Sequence, residues 1–166
     1  MHQSILDEQE LWRLPPKQRL DRCEEILKNE KDESIRWDAV WVAGEIVDKQ
    51  EKGDAIYDGV ADLLVWVLEH DDNAVVKHEA SFQIAARNMR SKIPDLMTHI
   101  ENDPSGLAKH EAIEALGLMR AFEAEDLIKK YTAHPNPDVK QTAEFVLKRL
   151  ERFKASKTEY VPSGII

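Results

Sequence analysis

The chain has few of the residues that stabilise small secreted proteins or membrane proteins. It contains one cysteine, Cys23, in 166 residues, so no internal disulfide can form and a cytoplasmic location is expected. The first eight residues contain neither a basic nor an apolar segment, which predicts that they are not a signal peptide. The longest strongly apolar stretch, 60–68, includes Asp62 and is too short to cross a bilayer, so no membrane partner is expected.

Positive charge is also scarce. The 23 Lys and Arg residues are outnumbered by 32 Asp and Glu residues, which gives a formal net charge of −9. This balance argues against nucleic acid as a partner and favours a cationic substrate or a basic protein. The length is that of about one domain, large enough to bury a core.

Alternation of apolar and polar residues, the pattern of a β-strand, is almost missing. Apolar residues recur at helical spacing instead, and short turns of Pro, Gly, Asn or Asp separate the segments. The predicted helices are 4–13, 17–29, 34–49, 54–69, 73–89, 92–101, 107–119, 122–133 and 138–152. Residues 155–166 have no periodicity and are expected to form an extended or disordered tail.

A five-residue frame recurs in the second helix of each predicted pair. It consists of an apolar residue, a basic residue, two variable residues and Ala, and its copies follow one another in steps of 41, 32 and 31 residues. The copies are 35–39, 76–80, 108–112 and 139–143. A helix-pair repeat of this length is typical of HEAT-like α-solenoids. We therefore predict an all-α domain over residues 1–154, with about four antiparallel helix pairs.

Two of the four frames carry His-Glu at their variable positions, as His78-Glu79 and His110-Glu111. His78 lies about 200° around its helix from Val76, away from the apolar stripe, and His110 has the same offset. Both histidines and the glutamates that follow them are therefore expected to face the surface formed by the inner helices. Packed helices lie about 8–10 Å apart, so imidazoles on neighbouring helices can reach one metal ion. Imidazoles combined with carboxylates suit non-haem iron.

Two other interpretations of the pairs stay open. Zinc also binds His and Glu, in a structural or a hydrolytic site. The pairs also fit a metal-free surface, because this frame often holds charged residues that are simply solvated. For the remaining histidines, which are His2, His70, His99 and His134, we expect solvated or capping roles.

The repeated Lys-His-Glu-Ala, followed by Glu-Ala-Leu-Gly at 114–117, resembles the deoxyhypusine hydroxylase family, as does the segment 139–144. The resemblance covers roughly residues 34–152. Members of that family are HEAT-like solenoids of two similar halves, and each half carries two His-Glu pairs. Four histidines and two glutamates hold two irons between the halves, and the enzyme uses dioxygen to hydroxylate the deoxyhypusine side chain of translation initiation factor 5A.

The resemblance implies a role for each of the four residues. His78 and His110 would be iron ligands, and Glu79 would be a ligand that reaches across to the other half. Glu111 would be a metal ligand or the catalytic carboxylate that receives the substrate amine. Because this chain corresponds to one half only, a homodimer with two irons would be needed to rebuild the whole site.

The resemblance thus implies a non-haem diiron monooxygenase that acts on a lysine- or polyamine-like amine, on a protein such as a translation initiation factor 5A homologue or free. Two alternatives stay open. A HEAT-repeat interaction scaffold would bind a peptide and no metal. A non-catalytic iron- or dioxygen-binding protein would use the same ligands without a substrate pocket.

Overall fold

A computed structural model of the chain describes residues 8–157, and within that range it contains nine α-helices and no strand. The helices are α1 (Glu8–Arg13), α2 (Pro16–Asn29), α3 (Glu33–Ile46), α4 (Ala55–His70), α5 (Ala74–Ala86), α6 (Ile93–Asn102), α7 (Gly106–Leu118), α8 (Glu125–Tyr131) and α9 (Pro137–Ser156). Short 3₁₀ segments at 47–49, 90–92 and 122–124 follow α3, α5 and α7. The prediction of an all-α repeat fold is confirmed.

The helices α2 to α9 form four consecutive pairs that stack on one another. The second members, α3, α5, α7 and α9, pack side by side in one row, which we call the inner layer. The first members α2, α4 and α6 pack in the same order behind it. The four alanines that end the frames are completely buried, so a small side chain lies where neighbouring inner helices meet; they are Ala39, Ala80, Ala112 and Ala143.

Every inner helix begins at the same point of its frame. The capping residue lies four positions before the basic residue, and its side chain accepts a hydrogen bond from a backbone N–H of the first turn. The four capping residues are Asp32, Asn73, Ser105 and Asn136. Because the inner helices start in register, the variable positions of successive frames come to the same height in the inner layer.

Buried ion pairs fix this register between repeats. The Arg36 guanidinium donates to Asp71 at 2.8 and 3.0 Å, and Asp71 directly follows α4. Lys77 pairs in the same way with Asp103, which directly follows α6. The basic residues of the first two frames are thus bound to the end of the outer helix that follows them in the chain, which links one repeat to the next. In the third frame Lys109 binds the preceding outer helix instead, where it donates to the backbone carbonyl of Ile100.

Four predicted helices differ from the structure by three or more residues at one end. The predicted helix 73–89 ends at Ala86, and the predicted helix 122–133 becomes α-helical only at Glu125. The predicted helix 34–49 ends at Ile46 and continues as a 3₁₀ turn. The last helix reaches Ser156, so the first residues assigned to the tail are helical, and residues 158–166 lie outside the described part of the chain. Within residues 8–157, no helix is both long enough and apolar enough to span a membrane.

Candidate metal centre

Three of the four predicted site residues meet on the inner layer. His78 of α5 and His110 and Glu111 of α7 each offer a ligand atom, and these atoms lie within 4.8 Å of one another. The two imidazole rings are 6.2 Å apart between centroids. Both histidines follow the capping residues of their helices by five positions. Because α5 and α7 start at the same height, the two histidines come close together.

A hydrogen bond joins His78 and Glu111 across the two helices. Nε2 of His78 lies 2.9 Å from Oε2 of Glu111. This bond raises the pKa of His78 above its usual value, against the opposing effect of partial burial, and the charges of Glu111 and Glu79 add to the rise. The bond therefore favours the protonated form of the His78 imidazole.

Glu79 does not join the three-residue cluster. Its Oε1 accepts a hydrogen bond from Nε2 of Gln83 at 2.6 Å, on the same helix. Burial raises the pKa of Glu79, while the Gln83 bond and the nearby His78 lower it. Within one chain, Glu111 therefore lies with the two histidines, whereas Glu79 is bonded to Gln83 instead.

The frames explain this difference between the two glutamates. The histidine of one frame contacts the second variable residue of the next, so His78 meets Glu111, and His110 meets Thr142 at 2.6 Å between Nδ1 and Oγ1. The frame before His78 has Trp37 in place of a histidine, so the frame offers Glu79 no imidazole. Sequence reasoning missed Thr142, although its position in the fourth frame is equivalent to that of Glu111.

The glutamates are also more deeply buried than expected. Both histidines are half-buried, but Glu79 and Glu111 are each only 7% exposed. The His-Glu pairs were predicted to face the surface of the inner layer together. Glu111 instead leans into the contact with α5, where it reaches His78, because successive residues point about 100° apart around a helix.

Two hollows lie beside the cluster. One, of about 240 Å³ beside Glu111, is lined mainly by Phe82, Leu118 and Phe145 together with aliphatic neighbours, and Arg149 lies on its wall. The other, of about 400 Å³ beside His110, is lined by Leu107 and by polar residues of α9, which are Asp138, Gln141 and Thr142. A mainly apolar hollow next to a few polar groups, as beside Glu111, is typical of a site that takes a small molecule or a side chain.

The remaining histidines lie away from this cluster. Nδ1 of His134 accepts the backbone N–H of Asn136 at 3.1 Å, so this histidine lies in the turn between α8 and α9. For His99 the expected solvated role is wrong, because it is only 7% exposed and burial lowers its pKa to about 4. His99 lies beside Asp103, on the side of the repeat where Lys77 is bound. His2 lies outside the described residues.

The donor set restricts the chemistry of the centre. Two imidazoles and one carboxylate match the ligands of mononuclear and dinuclear non-haem iron sites, and also those of some zinc sites. The acidic groups near the cluster include the buried glutamates themselves, Glu114, whose Oε2 lies 3.6 Å from Nε2 of His110, and Asp138, which lines the same hollow as His110. A divalent cation would offset their negative charge, so the residues fit a bound metal ion.

The sequence is similar to HEAT repeats and to deoxyhypusine hydroxylases. Residues 61–148 match the family of HEAT repeats. Deoxyhypusine hydroxylase of Danio rerio is 32% identical over 96 residues, which are 56% of this chain and 32% of the fish protein. Deoxyhypusine hydroxylase-B of Oryza sativa subsp. japonica is 27% identical over 148 residues, which are 87% of this chain and 46% of the rice protein.

The fold has a solved counterpart. A structure of human deoxyhypusine hydroxylase in complex with glycerol superimposes with a TM-score of 0.72 at 22% identity, covering 91% of this chain and 49% of the human chain. The chain thus spans less than half the length of these relatives. It resembles one half of a deoxyhypusine hydroxylase, and the match over more than half of its residues shows that it belongs to the HEAT-repeat family.

Proposed function

We propose that this protein is a non-haem diiron hydroxylase whose active site is completed when two copies of the chain pair. The observation that carries the proposal is the cluster of His78, His110 and Glu111, whose ligand atoms lie within 4.8 Å of one another. The similarity to deoxyhypusine hydroxylases supports the same chemistry.

The residues divide into ligands and substrate-binding groups. His78 and His110 would each give one nitrogen to a metal ion, and Glu79 would give a carboxylate oxygen to the metal held by the partner chain. Glu111 would hold the protonated amine of the substrate or complete the ligand set. Iron bound there would supply the activation of dioxygen. The apolar side chains that line the hollow beside Glu111 would exclude water from that side of the site. The negative charge of the glutamates would attract an amine.

Dimerisation is proposed because one chain carries only two histidines at the centre. Exposed apolar side chains surround that centre and suit a contact with a second copy: Val75 is 52% exposed, Leu107 43% and Phe145 61%. Val75 and Leu107 both lie three residues before a ligand histidine, so the same apolar element recurs beside each His-Glu pair. A two-fold contact through this face would bring the two metal centres together.

The proposed substrate is a lysine- or polyamine-like aliphatic amine, either free or on a protein such as a translation initiation factor 5A homologue. The net charge of −9 favours a cation, and the apolar hollow beside Glu111 can take an aliphatic chain. In the reaction, dioxygen gives one oxygen atom to a C–H carbon. The other atom leaves as water after taking two protons and two electrons from an external reductant. The free, buried thiol of Cys23 agrees with a reducing cytoplasm.

The test begins with the metal-free protein, reconstituted with Fe(II) under anaerobic conditions. We expect one iron per chain in the wild type and a loss of most iron in His78→Ala and His110→Ala, with His70→Ala as the control. Exposure to ¹⁸O₂ with a reductant and an amine-bearing protein should then add one labelled oxygen atom to the amine side chain. Mass spectrometry of the substrate measures this incorporation.

Three outcomes would contradict the proposal in different ways. Full iron content in a variant that lacks both His78 and His110 would show that these histidines form no metal site, and would favour the interaction scaffold. Zinc that iron cannot displace would favour a structural or hydrolytic centre. Iron that binds as expected and takes up dioxygen, without labelling any amine, would leave an iron- or dioxygen-binding protein.

A further inference from the structure

Gln83 is a polar side chain at a packing position. It lies six residues after the basic residue of its frame, where the next two frames have Ala115 and Val146. All three residues are buried, and Gln83 is completely inaccessible to solvent. A buried carboxamide costs free energy unless its donors and acceptor are bonded, so its partners show what it does.

Glycine makes room for this side chain. A Cβ added to Gly44 would lie 2.7 Å from Cδ of Gln83, just as one added to Gly117 would lie 2.8 Å from Cγ1 of Val146. Gly44 and Gly117 are equivalent positions of their frames, eight residues after the basic residue. The repeat therefore has the same space at both contacts, but only the first is filled by a carboxamide.

The carboxamide has a fixed orientation. A guanidinium group only donates hydrogen bonds, and Nη1 of Arg87 donates to Oε1 of Gln83. The amide nitrogen must therefore face the other way, where it donates to Oε1 of Glu79 at 2.6 Å. Arg87 is itself held by Asp48, with Nε donating to Oδ1 at 3.1 Å. A chain of bonds thus runs from the 3₁₀ turn after α3 to the carboxylate of Glu79.

We propose that Gln83, oriented by Arg87, is a positioning residue that holds Glu79 for metal binding. The bond to Oε1 fixes the carboxylate and leaves Oε2 to bind a cation. Glu111 has Ala115 one turn later in place of a glutamine, and its Oε2 turns to His78 instead. Gln83 therefore gives Glu79 the partner that the preceding frame, with Trp37 in place of a histidine, does not supply.

This inference rests on the proposed function, in which Glu79 is a ligand. The probe is Co(II), whose affinity is measured by competition with a chelator and whose absorption bands report the ligand geometry. Gln83→Met keeps the length of the side chain but loses both hydrogen bonds. We expect it to lower Co(II) affinity about 10- to 100-fold and to change the absorption spectrum, as loss of a residue that orients a ligand does.

Three further variants separate positioning from packing. Arg87→Met should have an effect in the same direction, and Arg87→Lys should restore most of the affinity because it keeps a donor to Oε1 of Gln83. Gly44→Ala should displace the carboxamide without changing its chemistry. Gln18→Met, the same substitution at an exposed position of α2, should bind Co(II) like the wild type. Circular dichroism checks that each variant is folded.

The outcomes of the two proposals can be told apart. If His78→Ala loses Co(II) while Gln83→Met keeps the wild-type affinity and spectrum, the positioning role is wrong and the metal site stands. If His78→Ala also keeps Co(II), the metal site itself is wrong. Equal losses in Arg87→Lys and Arg87→Met would also contradict the inference, since the lysine keeps the donor.

Discussion

Replacing Glu111 with Gln should change the stability of the metal-free protein in a pH-dependent way. The raised pKa of His78 means that the folded state binds a proton more tightly than the unfolded state. The stabilisation by the His78–Glu111 pair is therefore fully present below the unfolded pKa of about 6.5 and is lost as the pH rises through the folded pKa. Glu111→Gln removes this contribution, so its effect should be largest at acid pH.

The distance between His78 and Glu111 and the exposure of their side chains set the magnitude of the expected stability difference. A hydrogen bond between charged groups contributes about 1.5–3 kcal/mol. The His78 side chain is 33% exposed, so water screens the pair, and we expect about 1 kcal/mol. For a domain of this size that corresponds to a Tm difference of about 2–4 °C. At higher pH the difference should vanish or reverse, because ionised Glu111 opposes the ionisation of Glu79.

Thermal unfolding in the presence of a chelator, from about pH 5.5 to about pH 9, measures this effect across the range in which the imidazole titrates. Glu144→Gln, at an exposed position of α9, is the matched control, and its small effect on Tm should not show the loss at acid pH that is expected of Glu111→Gln. A wild-type advantage over Glu111→Gln that stays constant or grows as the pH rises would refute the reasoning.

Three further predictions test the scaffold, the ligands and the dimer. Asp71→Ala should cost about 3–5 kcal/mol of unfolding free energy because it breaks a buried ion pair, whereas Asp72→Ala, with a side chain 92% exposed, should cost less than about 1 kcal/mol in denaturant titrations. Thr142→Val should weaken metal binding about tenfold because His110 loses the hydrogen bond that orients its ring, and an unchanged affinity in chelator competition would contradict this. Phe145→Glu should raise the dimer dissociation constant at least tenfold in sedimentation equilibrium, because it places a charge in the proposed apolar contact; an unchanged constant would mean that the dimer uses another face.

The sequence predicts the fold well because each level of the pattern agrees with the others. The frame, the capping residues and the apolar spacing all place α5 and α7 in the same register, so the proximity of His78 and His110 could be predicted from their spacing alone. The ion pair of Lys77 with Asp103 was not predicted, because it depends on where an outer helix ends.

The partners of the glutamates could be predicted only in part. The pairing of His78 with Glu111 follows from a contact between successive frames, and the same contact would have identified Thr142 as the partner of His110. The same contact leaves Glu79 without an imidazole, because the preceding frame has Trp37, but the partner that Glu79 has instead could not be predicted in this way. That partner is Gln83, a residue outside the frame whose side chain fits only because Gly44 on another helix leaves room.

Sedimentation equilibrium of the metal-free and the Fe(II)-loaded protein tests the central claim most directly. Glu79 and Glu111 of two chains would repel one another across a two-fold axis without cations between them, so the metal-free dimer should be weaker than the iron-loaded dimer. We predict a species of twice the chain mass with two irons when iron is present, and a shift toward monomer when a chelator removes it. A protein that binds iron through His78 and His110 but stays monomeric would contradict the diiron account.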